Sequence, residues 1–435
     1  MASASAVGLP SFHDFKPETL RGEPGYFRLG LARDGRWWLL DPQDRPFFSQ
    51  GVTAINRAGT AGGRQARRGP YADTIDRRFG ADDPQPFVDD VLRRLRAWHF
   101  NTLGPWTGDE FYDRGLPYTE ILDFRRMSEH AFRLGPALLP DVFDPRWETD
   151  CDRWAAELCG PRRESRGLIG YFTDHALGWA QAGEATPVRP TLLQLCLSLE
   201  PAYAAYHAAW EFVLAPHAGD FAALCRAWGV DWVNKEALRQ LTQDEVPLAT
   251  RGYLDDQARF SREFARRYVR VTSEAIRRHD PHHLILGCRF TDPLPGPDIL
   301  QAFVSPWVDA VSLTCEQADP VGRVERLHVA TGQPIWVAEF SWSGEAFQEG
   351  EWAGEPPGLS GLERMHRRGR AALEAVAAHG AVVGYAWNRW VQGDPGDVPP
   401  FASGLVYTND QTAHEHVEPL AALNRRLAGL HAGAA

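Results

Sequence analysis

Lysine is almost missing from this chain: Lys16 and Lys235 are its two occurrences in 435 residues. The other basic residues are arginines, which reads as a bias in coding rather than as an anion site. Acidic residues outnumber basic ones, 57 to 46, leaving a formal net charge of -11. A nucleic-acid backbone needs a basic surface, so no nucleic-acid partner is expected. Cysteine is sparse as well. Cys151, Cys159, Cys196, Cys225, Cys288 and Cys315 form no CxxC pair and no spacing with histidine that would hold a metal. A disulfide scaffold and a zinc ribbon are therefore excluded, and reduced, partly buried thiols are expected. No continuous apolar run approaches the length of a membrane span, and residues 1–10 lack a basic segment followed by an apolar one. The expectation is a cytoplasmic protein with no membrane partner.

What is present fits a soluble enzyme-sized domain. Apolar residues make up 44% and charged residues 24%, enough for a large core. The length suits two or three average domains, or one barrel with insertions. Sixteen tryptophans are many. Indole faces stack on sugar rings, so the count leans toward a carbohydrate ligand, although core packing explains most individual tryptophans.

Residues 1–46 read as an irregular lead-in and a β-hairpin, with a turn at Asp34-Gly35 between Tyr26-Phe27-Arg28-Leu29 and Trp37-Trp38-Leu39-Leu40. From residue 47 short apolar runs alternate with amphipathic helices. The runs are 47–55, 100–106, 118–124, 168–176, 284–290, 308–316, 335–342 and 382–390. The clearest helix is 255–279, where Phe260, Phe264, Tyr268, Val271 and Ala275 recur at steps of three and four. Eight strand–helix units over 47–435 predict an α/β fold, a (β/α)8 TIM barrel. An open doubly wound sheet shares this alternation and stands as the alternative. A long insertion after the fourth strand, 180–254, is helical in parts and is expected to cap the active face.

Barrel enzymes carry their chemistry at the C-terminal ends of the strands. Those ends hold Asn56, Trp106, Asp174-His175-Ala176, Arg289, Glu316, Glu339 and Trp387-Asn388-Arg389. Polar groups are costly in apolar surroundings unless paired, so this set marks a candidate site. Glu339 is flanked by Val337, Ala338, Phe340 and Trp342, the least ordinary setting for a solvated carboxylate. Retaining glycoside cleavage needs two carboxyl groups roughly 5–5.5 Å apart, and the ends of the fourth and seventh strands can face each other at that distance. The pair His282-His283 precedes the fifth strand, at the barrel's bottom, and no metal role is read from it. The Pro- and Gly-rich segment 394–401 reads as a mobile loop over the mouth.

Several pieces in order give the chain a resemblance. They are Phe48-Ser49-Gln50-Gly51-Val52, Asn101-Thr102-Leu103-Gly104, Pro140-Asp141-Val142-Phe143-Asp144-Pro145 and Gly170-Tyr171-Phe172-Thr173-Asp174. The fifth strand, from Asp280-Pro281-His282-His283 to Arg289-Phe290, and Ala338-Glu339-Phe340-Ser341 complete the set. From about residue 47 to 428 the chain resembles the agarase-type glycoside hydrolases of clan A. The resemblance implies a (β/α)8 barrel, a retaining mechanism, no cofactor, and cleavage of a β-galactosidic bond in agar-type galactans.

The resemblance also carries roles. Glu339 matches the nucleophile. Ala176 matches the acid/base glutamate, and an alanine donates no proton. His175 matches the asparagine that contacts the neighbouring sugar hydroxyl. Trp387, at the end of the eighth strand, is expected to form the floor of the subsite for the non-reducing sugar, with a packed aromatic as the alternative. Asp174, Asn56, Trp106, Asn388 and Arg389 are candidate sugar contacts, and Arg289 and Glu316 either pair together, hold Glu339 or touch substrate. Three accounts of Ala176 stand: a substitution made to keep substrate intact, a natural sugar binder without catalysis, or a different proton donor such as His175, Asp174 or Glu316. The expected partner is an oligosaccharide, and self-association is left open.

Overall fold

The computed structural model describes residues 8–60, 68–127, 131–134, 137–179, 189–315, 319–344, 347, 355–356, 358–392 and 403–433. Near the N-terminus β1 (Arg28–Leu31) and β2 (Trp37–Leu40) pair antiparallel, across a turn where Gly35 takes a φ of +89°. The short β3 (Pro46–Phe47) pairs with β2. This three-stranded sheet is bound to the end of the chain by His431, whose ring lies 2.8 Å from the Trp37 carbonyl oxygen.

The main sheet follows the apolar runs. Its strands are β4 (Ser49–Val52), β5 (Thr102–Leu103) and β6 (Tyr118–Ile121), then, after an antiparallel pair β7 (Phe132–Leu134) and β8 (Ala137–Leu139), β9 (Leu168–Phe172). Next come β10 (Leu284–Ile285), β11 (Arg289–Phe290), β12 (Val311–Cys315), β13 (Ile335–Phe340) and β14 (Val382–Trp387). Among the described residues nine strands join in the order β10-β9-β6-β5-β4-β14-β13-β12-β11, and every pairing is parallel. The two edges of that order, β10 and β11, are successive pieces of one segment, so the sheet curls back on itself. An open doubly wound sheet reverses its strand order part-way; this one runs through in chain order. The fold is α/β, a curled parallel sheet of the TIM-like barrel kind.

The expected fifth strand is thus two short ones. Leu286, Gly287 and Cys288 separate them, with Gly287 at a φ of +69°, where a Cβ would be strained. Hydrogen bonds cross the break: Leu286 N–H donates to the Tyr171 carbonyl, Thr173 N–H to that of Gly287 and Arg289 N–H to that of Asp174. At this seam the backbones approach closely, and a Cβ on Gly170 would lie 2.3 Å from the Leu284 carbonyl oxygen.

Outside the sheet the longest helix, Arg251–His279, buries Phe260, Phe264, Tyr268, Val271 and Ala275 on one face. It begins earlier than the periodicity indicates, and it ends at Asp280 because Pro281 follows and disfavours helical backbone there. Each such buried aromatic contributes on the order of 1.5–3 kcal/mol of burial. Residues 189–250 form the helices Leu192–Ser198, Ala204–Leu214, Phe221–Trp228 and Glu236–Gln243. They lie against the long helix: Trp228 Nε1 donates to Asp256 at 2.8 Å, and the Phe212 and Phe260 rings are 5.5 Å apart. Ala205 N–H donates to Asp141 at 2.9 Å, which holds them also to the turn after the third strand unit. No helix among the described residues is long and apolar enough to cross a membrane.

Candidate active site

Four neighbouring strands leave the sheet through residues in left-handed backbone conformation. Ala54 has φ +58°, Trp106 +63°, Asp123 +54° and Ala176 +52°. For residues other than glycine this costs of order 1–3 kcal/mol each, and it persists where surrounding contacts enforce it. Here those contacts are visible. Ala54 N–H donates to the Pro105 carbonyl at 2.9 Å and Ala176 N–H to the Arg289 carbonyl at 3.2 Å. Asn56 Nδ2 donates to the Trp106 carbonyl at 2.9 Å, while its Oδ1 accepts from Gly59 N–H. Asn56 is therefore committed to shaping the loop.

Glu339, 6% exposed, sits near the end of β13. Its Oε1 is 2.9 Å from Nη2 of the fully buried Arg289 on β11, and the same Nη2 donates to the Ala338 carbonyl at 3.0 Å. The Arg289 guanidinium lies 4.5 Å from the Trp106 ring centre and 5.7 Å from that of Phe172. His175 bridges to Arg289 in the sheet and meets the Trp106 ring edge-on at 5.1 Å. One residue thus links the two expected catalytic positions: the Arg289 carbonyl binds the backbone of Ala176, and its guanidinium binds Glu339.

Burial holds the His175 imidazole well below its usual range, and the positive charges of Arg289 and Arg125 push the same way. A neutral imidazole at neutral pH has no proton of useful acidity to donate. Asp174 moves oppositely. It is fully buried, and its carboxyl is pushed up to about 7 by burial, with Asp123 adding to the rise. Its oxygens accept from the Tyr268 hydroxyl and from Arg125 N–H, so Asp174 anchors the loop to the long helix rather than opening onto the mouth.

On the eighth strand Trp387 has no exposed face. Its indole N–H donates to the Ser403 carbonyl, and its ring meets Trp342 at 4.7 Å. The side chain expected as the floor of a sugar subsite is therefore packed beneath the surface. Asn388 is half-buried, its N–H donating to the Phe340 carbonyl at 3.0 Å and its Oδ1 accepting from Thr53 at 3.2 Å. Arg389 is half-buried beside it. Glu316 and the 394–401 loop lie outside the described residues.

Asn56, Trp106, His175, Ala176, Arg289, Glu339 and Asn388 come together; Asp174 and Trp387 stand behind them. The sequence reading missed Arg125, which supports Asp174 and donates through Nη1 to the Ala176 carbonyl at 3.4 Å. The third strand was the one assigned no site residue, and the position of Arg125 just past the run 118–124 was the available signal. Among the described residues no cluster of three or more His, Cys, Asp or Glu could hold a metal ion.

No protein-family model matches the chain. It is similar to Beta-agarase A of Vibrio sp. (strain JT0107), with 24% identity over 432 aligned residues, 85% of this chain and 42% of that protein. It spans less than half the length of the curated relatives it matches. Among solved structures, the crystal structure of an agarase, AgWH50C, superposes with a TM-score of 0.72 at 21% identity, covering 98% of this chain and 68% of that one. An exo-beta-agarase gives a TM-score of 0.71 at 18% identity, covering 99% and 68%. The likeness to the agarases runs through both sequence and fold.

Proposed function

We propose, from this likeness to agarases as premise, that the chain is a retaining glycoside hydrolase fold acting on a β-galactosidic bond in an oligosaccharide, with its acid/base position occupied by alanine. Glu339 attacks the anomeric carbon, and the bond to the leaving oxygen breaks as the glycosyl ester forms. Arg289 holds the Glu339 carboxylate in position. Ala176 occupies the place from which a carboxyl group would protonate the leaving oxygen and later activate water. The observation that carries the reading is the tie from the Ala176 backbone to the Glu339 carboxylate through Arg289. A shared partner of this kind supports the reading, since retention needs its two carboxyl groups close together. His175 is a poor substitute acid because burial keeps it neutral.

A glycoside with an acidic leaving group needs no proton, so this chain should still form the glycosyl–enzyme ester from an aryl β-galactoside. The test is mass spectrometry of the chain after mixing with a dinitrophenyl β-galactoside, and of Glu339→Gln alongside. A hexosyl adduct mapped to Glu339, absent from the variant, is expected. Equal turnover by both proteins would point to other chemistry on the same barrel.

A second reading, a carbohydrate-binding protein without turnover, draws on Ala176 itself. It predicts tight oligosaccharide binding and no adduct with any leaving group.

A further inference from the structure

The guanidinium of Arg289 is fully buried, yet its Nε and Nη1 have no hydrogen-bond partner among the described residues, and neither has Nδ1 of His175. Buried polar atoms without partners are rare and costly, and each invites an explanation. These atoms belong to residues paired across the seam between the fourth and fifth strands, and the residue next to them is Ala176. The side chain that would bring an acceptor there is a methyl group.

Among the described residues the charges at the mouth lean the same way. Glu339 is matched by Arg289 at 2.9 Å and Asp123 by Arg125 at 3.8 Å. Asp174 is taken up by Tyr268 and the Arg125 backbone. Arg389 forms no ion pair among the described residues. Among the described residues the site therefore offers unpartnered polar nitrogens and, in Arg389, a cation with no ion pair.

We propose that the preferred ligand is a galactoside bearing an anionic oxygen group, a carboxylate or a sulfate ester, on the leaving-group side of the bond. That group would lie over Ala176 and accept from Arg289 and His175, with Arg389 adding attraction. Charge-assisted hydrogen bonds of this kind are roughly twice as strong as neutral ones. This inference rests on the glycosidase reading above.

Calorimetric titration of the unmodified chain with three matched β-linked galacto-disaccharides tests it: neutral, sulfated at C6, and oxidised to the carboxylate at C6 of the reducing-side sugar. The anionic ligands should bind at least about tenfold more tightly than the neutral one at low salt, a preference that shrinks at high salt. The stronger of the two names the group. Arg389→Gln should reduce the preference. Ala176→Glu, its folding checked by thermal melt and its binding read with thio-linked, uncleavable versions of the three disaccharides, should reverse it by supplying the protein's own carboxylate. Equal or tighter binding of the neutral disaccharide overturns the proposal while leaving the glycosidase reading intact. Binding of none of the three overturns both.

Discussion

Arg289 and Glu339 are the residues on which the site depends most. Removing one partner of a buried pair leaves an uncompensated charge and typically costs about 3–5 kcal/mol. Arg289→Ala should therefore lower stability by about that amount, measured by chemical denaturation, and lose adduct formation at Glu339. Arg289→Lys should not restore it, because a lysine lacks the planar guanidinium that lies over the Trp106 and Phe172 rings. Asp174 gives a pH signature. Its folded-state value of about 7 lies above the ordinary 3.8, so the folded state holds the proton more tightly than the unfolded one. Its contribution is fully favourable below about pH 4 and is lost as pH rises through about 7. Melting temperatures of the chain and of Asp174→Asn should diverge across that window, with the native chain losing ground as pH rises. Parallel curves would show that Asp174 is not titrating there.

At the scale of elements, close backbone contacts set what the chain tolerates. Gly252, near the start of the long helix, faces the Ala227 carbonyl, and a Cβ there would lie 2.2 Å from its oxygen. Gly252→Ala should shift the Phe221–Trp228 helix away and destabilise the protein by about 1–3 kcal/mol. Phe264, fully buried between Phe143 and Trp179, should cost about 3–5 kcal/mol on truncation to alanine. Both are read from urea midpoints. The eight apolar runs were legible because strands buried on both faces carry little polar alternation. The break in the fifth was not, since one glycine inside an apolar run signals a bulge or a close approach without saying which. The burial of Trp387 was not legible for a related reason. Its position at a strand end was visible, but its burial depends on Trp342 and Ser403, which tertiary packing brings to it.

Across the whole molecule, the curled sheet brings together residues spread from Asn56 to Asn388, and strand position alone named most of them. What strand position could not reveal is which side chains the fold itself uses up: Asn56 in a loop, Asp174 against a helix. On the proposed function, the protein keeps a nucleophile for cleaving a β-galactosidic bond and lacks a proton donor at position 176. The most direct measurement is oligosaccharide hydrolysis by this chain and by Ala176→Glu at equal concentration. General acid catalysis is worth roughly 10²–10⁴ in rate, so the glutamate should raise cleavage of galacto-oligosaccharides by that order while changing aryl galactoside turnover far less. Unchanged oligosaccharide cleavage in a folded Ala176→Glu protein would contradict the account.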